Sequence, residues 1–205
     1  MNSHSPLCLG ILASHGGSNL QAILDAIASG GLPAKVGLVV SNNSQAMALE
    51  RARRAGVPAL HVSAATHGGP EGADQALALA LRNHGVNLVV LAGYMKKIGP
   101  ALLGAFPRRI LNIHPALLPK FGGQGHFGIH VHQAVLAAAE KESGATVHLV
   151  DGEYDKGAVV AQARVPVEPG DTPETLQARV LKVEHQLYPQ VLAALARGEL
   201  DLDQL

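Results

Sequence analysis

The sequence contains no tryptophan, and its three tyrosines and three phenylalanines bring aromatic content to only 3% of 205 residues. Proteins that bind single-stranded nucleic acid by base stacking need aromatic platforms, which this set cannot supply. There is one cysteine, Cys8. A lone thiol makes no internal disulfide, as expected in a reducing compartment. Charge is sparse and balanced, with 16 Lys plus Arg against 16 Asp plus Glu. Without excess cation there is no electrostatic footprint for nucleic acid or for an anionic membrane. The densest basic run, Arg51, Arg53 and Arg54, is spaced like the outward face of a helix and reads as solvated surface. No apolar run reaches the roughly 18 residues that a spanning helix requires. The N-terminal stretch lacks the basic patch, apolar core and small-residue cleavage site of a secretory signal. The expectation is a soluble, cytoplasmic chain with no nucleic-acid or membrane partner, monomeric or homodimeric, forming a single domain over residues 1–205.

What is present is an alternation. Hydrophobic residues make up 47% of the chain, enough for a substantial core, and they fall in short β-branched runs separated by longer periodic ones. Strands are predicted at residues 7–13, 36–41, 59–62, 88–91 and 110–114. Helices are predicted at 19–28, 46–55 and 75–83, the first with Leu20, Ile23, Leu24 and Ile27 on one face. This order implies an α/β fold: a doubly wound, mostly parallel sheet with helices on both faces. After His114 the pattern changes. Residues 115–128 form a Gly- and Pro-rich loop, long enough to suggest function. A helix over 131–142 follows, then strands at 145–150 and 158–165, antiparallel around a turn at 151–157. The run Asp171-Thr172-Pro173-Glu174-Thr175 starts a long C-terminal helix whose stripe is Leu176, Val180, Val183, Leu187 and Val191.

Open α/β sheets bind ligands beyond the carboxyl ends of their strands, so Ser14, Ser41, Ala92-Gly93 and Asn112–His114 should border one cleft. Ser14-His15-Gly16-Gly17-Ser18-Asn19-Leu20 joins the first strand to the first helix. It reads either as a tight turn with an N-cap or as a cradle for a phosphate monoester. The dinucleotide pattern G-x-G-x-x-G is absent, and Ser41-Asn42-Asn43 ends the second strand without an acid, which argues against a nicotinamide cofactor. Asn112 and His114, two apart on a strand, project from the same face. They are either a turn cap and a buried histidine, or an amide to steady an oxyanion and an imidazole to handle a proton. Asp155 belongs to an acidic, Gly-containing turn and is a possible carboxylate partner for His114. His126, His130, His132 and His148 raise a metal-cluster alternative, but Gly125 and Gly128 oppose the helical spacing it needs.

Together these segments resemble the phosphoribosylglycinamide formyltransferase family over nearly the whole chain. The resemblance is carried by Gly17-Ser18-Asn19-Leu20-Gln21-Ala22-Ile23, Leu91-Ala92-Gly93-Tyr94-Met95, and Leu111-Asn112-Ile113-His114-Pro115-Ala116-Leu117-Leu118-Pro119. Gly128-Ile129-His130-Val131-His132, Asp155, and Glu184-His185 with Tyr188-Pro189 add to it. It implies formyl transfer from 10-formyltetrahydrofolate as co-substrate to glycinamide ribonucleotide, without a metal. It further implies that Asn112, His114 and Asp155 are catalytic, and that Gly17, Ser18, Asn19 and Glu184 bind the ribonucleotide. Met95, Lys96, Lys97 and Ile98, with Asn112 and the loop Asp151, Gly152, Glu153, Tyr154, Asp155, would bind the folate. The Asn-x-His and Asp trio is shared with formyltetrahydrofolate deformylase, so hydrolysis is the alternative, with a metal hydrolase built on the histidine loop behind it. The chain departs from the family pattern at Gly16, where Asn or Arg is common, at Lys96-Lys97, where Arg-Ile is usual, and in a longer loop at 122–127.

Overall fold

The computed structural model describes residues 6–205. Seven strands form one sheet in the order β3-β2-β1-β4-β5-β6-β7. The strands are β1 (Leu7–Leu12), β2 (Ala34–Ser41), β3 (Ala59–His61), β4 (Leu88–Leu91), β5 (Ile110–His114), β6 (Glu142–Leu149) and β7 (Val159–Pro166). Neighbouring strands from β3 through β5 are parallel, whereas β6 runs antiparallel to β5 and β7 antiparallel to β6. The helices are α1 (Ser18–Ala28), α2 (Met47–Arg54), α3 (Pro70–Asn83), α4 (Pro100–Ala105), α5 (Ile129–Ala137) and α6 (Pro173–Ala196).

Strand periodicity divides the core into two layers. On β1, Leu9 and Ile11 pack under α1, α2, α5 and α6, while Leu12 faces α3 and α4. Gly10 faces the second layer, where a Cβ would come within 2.9 Å of Val86 Cγ1; the strand has room there only for hydrogen. Cys8 is buried and unpaired. The doubly wound arrangement expected from the alternation is therefore present, as is the antiparallel ending.

Four details differ from the sequence reading. The third helix begins at Pro70 rather than residue 75, because Pro is well suited to a first helical position even with Gly72 behind it. The helix expected over 131–142 spans Ile129–Ala137, and Glu142 already belongs to β6. Helix α4 was not anticipated; six residues are too few to show a period. Among the three arginines, Arg53 and Arg54 pair with Glu50 at the surface, but Arg51 Nε donates to the Gly16 carbonyl at 2.8 Å and its Nη1 to Gln21. Arg51 thus braces the loop after β1 instead of being merely solvated.

The C-terminal helix locks the central strands. Thr172 caps α6 through a reciprocal pair of hydrogen bonds with Thr175, and Leu176, Val180, Leu187 and Val191 are buried as the stripe requires. Fully buried Tyr188 carries its hydroxyl to the carbonyls of Leu91 (3.2 Å) and Leu111 (3.0 Å), on adjacent strands β4 and β5. Burial holds the phenol's pKa well above its ordinary value, so the proton stays available to be shared. Tyr188→Phe removes the donor and leaves two carbonyls to find others. It is expected to cost about 1–2 kcal/mol in urea unfolding; unchanged or greater stability would show that the bridge contributes nothing.

Candidate active site

In strand order β3-β2-β1-β4-β5 the direction of winding reverses between β1 and β4, and their carboxyl ends open a crevice. A cavity of about 790 Å³ lies there. Its walls are the loop after β1, residues 91–98 after β4, the end of β5, residues 123–128, the turn after β6, and one face of α6. Asn112, His114 and Asp155, far apart in sequence, all line it. So do Gly17, Asn19, Glu184, Met95, Lys96, Lys97, Ile98, Gly152, Glu153 and Tyr154. A second cleft of about 310 Å³, between Phe121 and β7, contains none of these residues.

Not every strand end borders the cavity. Ser14 and Ser41 are buried and occupied in structural bonds: Ser14 Oγ with Asn42 and Met95, Ser41 Oγ with the Asn43 N–H. Two residues assigned to binding also fall outside the lining. Ser18 is the first residue of α1 and Asp151 faces solvent, its carboxylate accepting from the Glu153 N–H at 3.2 Å. Asp151 shapes the turn rather than the cavity wall.

Pairing of β5 with β6 builds the polar centre. Asn112 lies opposite His148 and His114 opposite Thr146. Asn112 Nδ2 is 3.1 Å from His148 Nε2, while His148 Nδ1 donates to the Leu149 carbonyl at 2.8 Å. Toward His148 the Asn112 amide can use at most one of its two N–H groups, which leaves the other free for a ligand. In the sequence His148 stands out only as a possible metal ligand. Its alternate-residue position on a strand reads as core, and nothing local marks it as the amide's partner.

Asp155 closes the cluster from the turn after β6. Its Oδ2 is 3.5 Å from His114 Nδ1 and accepts from the Gly123 N–H at 2.9 Å; Oδ1 is 3.4 Å from His148 Nε2. Burial raises its pKa, but the hydrogen bond from His148, the His114 charge and the Gly123 N–H together outweigh burial and hold the carboxyl below its ordinary value. The loop at 122–127 therefore has a role: it brings a backbone N–H to Asp155 and lays His126 and Phe127 along the cavity.

His114 is buried, with Nε2 2.7 Å from the Phe121 carbonyl and Nδ1 toward Asp155. Both ring nitrogens thus face oxygen, an arrangement that suits the imidazolium. Burial nevertheless dominates and lowers the His114 pKa; Asp155 and the Phe121 carbonyl pull upward without overcoming it. Asp155 pulls upward, but the net direction in the free site is down. A proton placed on His114 is consequently held in good geometry and readily given up.

Beyond the centre, Gly17 adopts φ 70° at the N-cap of α1, where a Cβ would come within 2.8 Å of Ala48. Such a backbone suits glycine and leaves the first-turn N–H groups of α1 without intrahelical partners. Asn19 Nδ2 donates to Glu184 Oε2 at 2.7 Å, while Asn19 Oδ1 is buried without a partner. Across the mouth, Lys97 Nζ stands 5.9 Å from the centre of the Tyr154 ring. Burial pushes Tyr94 up to about 12, with Asp74 adding to the effect. Of the four histidines of the metal alternative, His126, His132 and His148 line the cavity while His130 turns to Gln133, and among the described residues no three His, Cys, Asp or Glu side chains are grouped as a metal ion requires.

Glu184 is 7% exposed, and burial raises its pKa to about 7 against the Asn19 hydrogen bond. A carboxyl with a raised folded pKa leaves folding unpenalised below its ordinary value near 4.5 and costs stability as pH rises through about 7. Glu184→Gln keeps the acceptor for Asn19 and removes the titration. Its stability relative to the parent is expected to grow between pH 4.5 and pH 7.5, by a total on the order of 3 kcal/mol. A difference that is flat with pH would mean that Glu184 ionises freely.

Comparison with known proteins matches this arrangement to one family. A family model described as formyl transferase covers residues 9–192. The phosphoribosylglycinamide formyltransferase of Haemophilus influenzae is 40% identical over 194 residues, 95% of this chain and 89% of that protein. The chloroplastic phosphoribosylglycinamide formyltransferase of Arabidopsis thaliana is 45% identical over 197 residues, spanning 95% of this chain and 68% of the plant protein. Among solved structures, glycinamide ribonucleotide transformylase 1 from Symbiobacterium toebii superposes with a TM-score of 0.89 at 45% identity, covering 94% of this chain and 89% of that one. The chain belongs to the formyl transferase family.

Proposed function

We propose that this protein transfers a formyl group from 10-formyltetrahydrofolate to the amine of 5'-phosphoribosylglycinamide, a step of purine biosynthesis. The observation that carries the reading is the convergence of Asn112, His114 and Asp155 on one wall of a cavity flanked by a helix N-terminus on one side and residues 94–98 on the other. Relatives bearing the glycinamide name, matched along nearly the whole chain, support the choice of acceptor.

The ribonucleotide's phosphate is received at Gly17, Ser18 and Asn19 by the free N–H groups of the first turn of α1. Ser18 contributes backbone rather than side chain. Glu184 and the unpartnered Asn19 Oδ1 offer acceptors to the donors of the ribose or amide. Met95, Lys96, Lys97 and Ile98 face Gly152, Glu153, Tyr154 and Asp155 across the cavity and hold the folate between them. No metal is needed.

Attack of the amine on the formyl carbon makes a C–N bond and moves the carbonyl electron pair onto oxygen. The free Asn112 N–H donates to that oxyanion, a contribution of roughly 3 kcal/mol to the barrier reduction, while protonated His114, its N–H groups directed at Asp155 and the Phe121 carbonyl, stabilises it by charge. The approaching negative charge raises the lowered pKa of His114, so the ring takes up its proton when the transition state needs it. The attacking nitrogen must lose one proton and the departing folate nitrogen must gain one. His114 and Asp155 border that path, and Asp155 compensates the imidazolium. No covalent enzyme intermediate is formed.

Tetrahydrofolate release should require glycinamide ribonucleotide and should persist in the presence of a chelator. Release at the same rate without acceptor would make the chain a hydrolase, and loss with chelator would make it a metalloenzyme. Asp155→Asn leaves burial of His114 unopposed by a carboxylate. It is expected to lower kcat by about 100-fold or more while KM changes only a few-fold. If Asp155→Asn and His114→Ala both turn over near the parental rate, the mechanism is wrong.

A further inference from the structure

Residues 92–99 connect β4 to α4 without belonging to either, yet 94–98 form a full wall of the cavity. Such a segment keeps its shape only if something outside it holds its ends. Near its start, the Gly93 carbonyl accepts from the Ser14 N–H at 3.0 Å and the Met95 N–H donates to Ser14 Oγ at 2.8 Å. At its far end the holder is Asp74, from the middle of α3. The Asp74 carboxylate accepts from the Ala101 N–H (Oδ2, 2.7 Å) and the Leu102 N–H (Oδ1, 3.2 Å), in the first turn of α4.

Asp74 is 8% exposed, and among the described residues no cation pairs with it. A buried carboxylate without a counter-ion is costly unless its hydrogen bonds are restored, and here they come from α4 alone. The dependence is mutual. Six residues make too short a helix to persist on propensity, and charge-assisted bonds to its free N–H groups are among the stronger ones available. Gly99, the residue that joins the wall to α4, sits directly against the carboxylate; a Cβ there would overlap the Asp74 carboxyl group. Asp74 itself is absent from the cavity lining.

We propose that Asp74 is a positioning residue for the folate side of the site: by anchoring α4 it fixes residues 94–98, and through them formyl-folate affinity, while leaving the ribonucleotide side alone. The assignment rests on the reading of that wall as the folate contact. The hydrogen bonds that Asp74 accepts come from α4, and Ser14 holds the other end of the wall independently of it, so the effect is expected on one substrate.

The test is steady-state kinetics with each substrate varied, for Asp74→Asn, Asp74→Ala, Gly99→Ala and the Asp74→Ala/Gly99→Ala double variant. Asp74→Asn retains the shape but turns an amide N–H toward a backbone N–H. It is expected to raise KM for 10-formyltetrahydrofolate about ten-fold, the equivalent of one charge-assisted hydrogen bond. KM for glycinamide ribonucleotide should stay within two-fold and the pH profile of kcat should be unmoved. Gly99→Ala, which pushes a methyl group into the carboxylate, should reproduce the split in the parent and add less than two-fold in the Asp74→Ala background, where the space has been vacated. A purely structural residue would lower thermal stability without separating the two KM values. That result, or multiplicative effects in the double variant, would overturn the proposal. Ile98→Ala separates the two layers of inference. If it raises KM for formyl-folate and Asp74→Asn does not, the anchor is wrong. If neither does, the folate wall itself is misassigned.

Discussion

A carboxylate taken out of water must be given hydrogen bonds in exchange, and the way Asp155 receives them organises the centre of this protein. One comes from the Gly123 backbone, and the other approaches are made by the imidazoles of His114 and His148. Those donors arrive from three stretches of chain: β5, β6 and the loop before α5. Satisfying one anion therefore brings together the loop, the strand end and the turn that surround the cavity. The same arrangement sets the behaviour of His114. Burial favours the neutral ring, the carboxylate and the Phe121 carbonyl favour the charged one, and the balance leaves an imidazole that changes state when further charge appears beside it.

That cluster sits where it does because of the sheet. The reversal of winding between β1 and β4 opens the crevice, and the antiparallel addition of β6 beside β5 puts His148 across from Asn112. A parallel strand in that place would need a crossover before it could return, and its turn could not bring Asp155 back over His114 within a few residues. Tyr188 ties β4 to β5 from beneath, and α6 delivers Glu184 from the same helix. Core packing and site geometry are in this sense carried by one element.

Much of this was legible beforehand, for identifiable reasons. Strong periods marked β1, β2, β4 and β5, and α6 announced itself by its cap and stripe. Asn112 and His114 stood out because polar side chains two apart on a strand end make poor core. Asp155 was harder, since acidic turns are common; its pairing with His114 is a matter of topology that spacing alone does not encode. What escaped were contacts between segments. His148 looks like an ordinary alternate strand position, Asp74 like a polar residue of an amphipathic helix, and α4 is too short to show a pattern. The spacing of Arg51 suggests solvated surface because its partner, the Gly16 carbonyl, is not on its own helix. Ser18 and Asp151 show the reverse case. They belong to motifs that border the cavity but lie outside its lining, and the Asp151 carboxylate is taken up by its own turn.

The central claim concerns His114: a buried ring between two oxygens, whose charge is set by burial against Asp155. Nitrogen-15 NMR of labelled imidazole, followed through a pH titration in the free enzyme and with both substrate-site ligands bound, tests it most directly. His114 should titrate below the ordinary value of about 6.5 when the site is empty, lower still in Asp155→Asn, and upward when an anionic transition-state analogue fills the cavity. A His114 that titrates at or above the ordinary value when the site is empty, and does not respond to the loss of Asp155, would contradict the account.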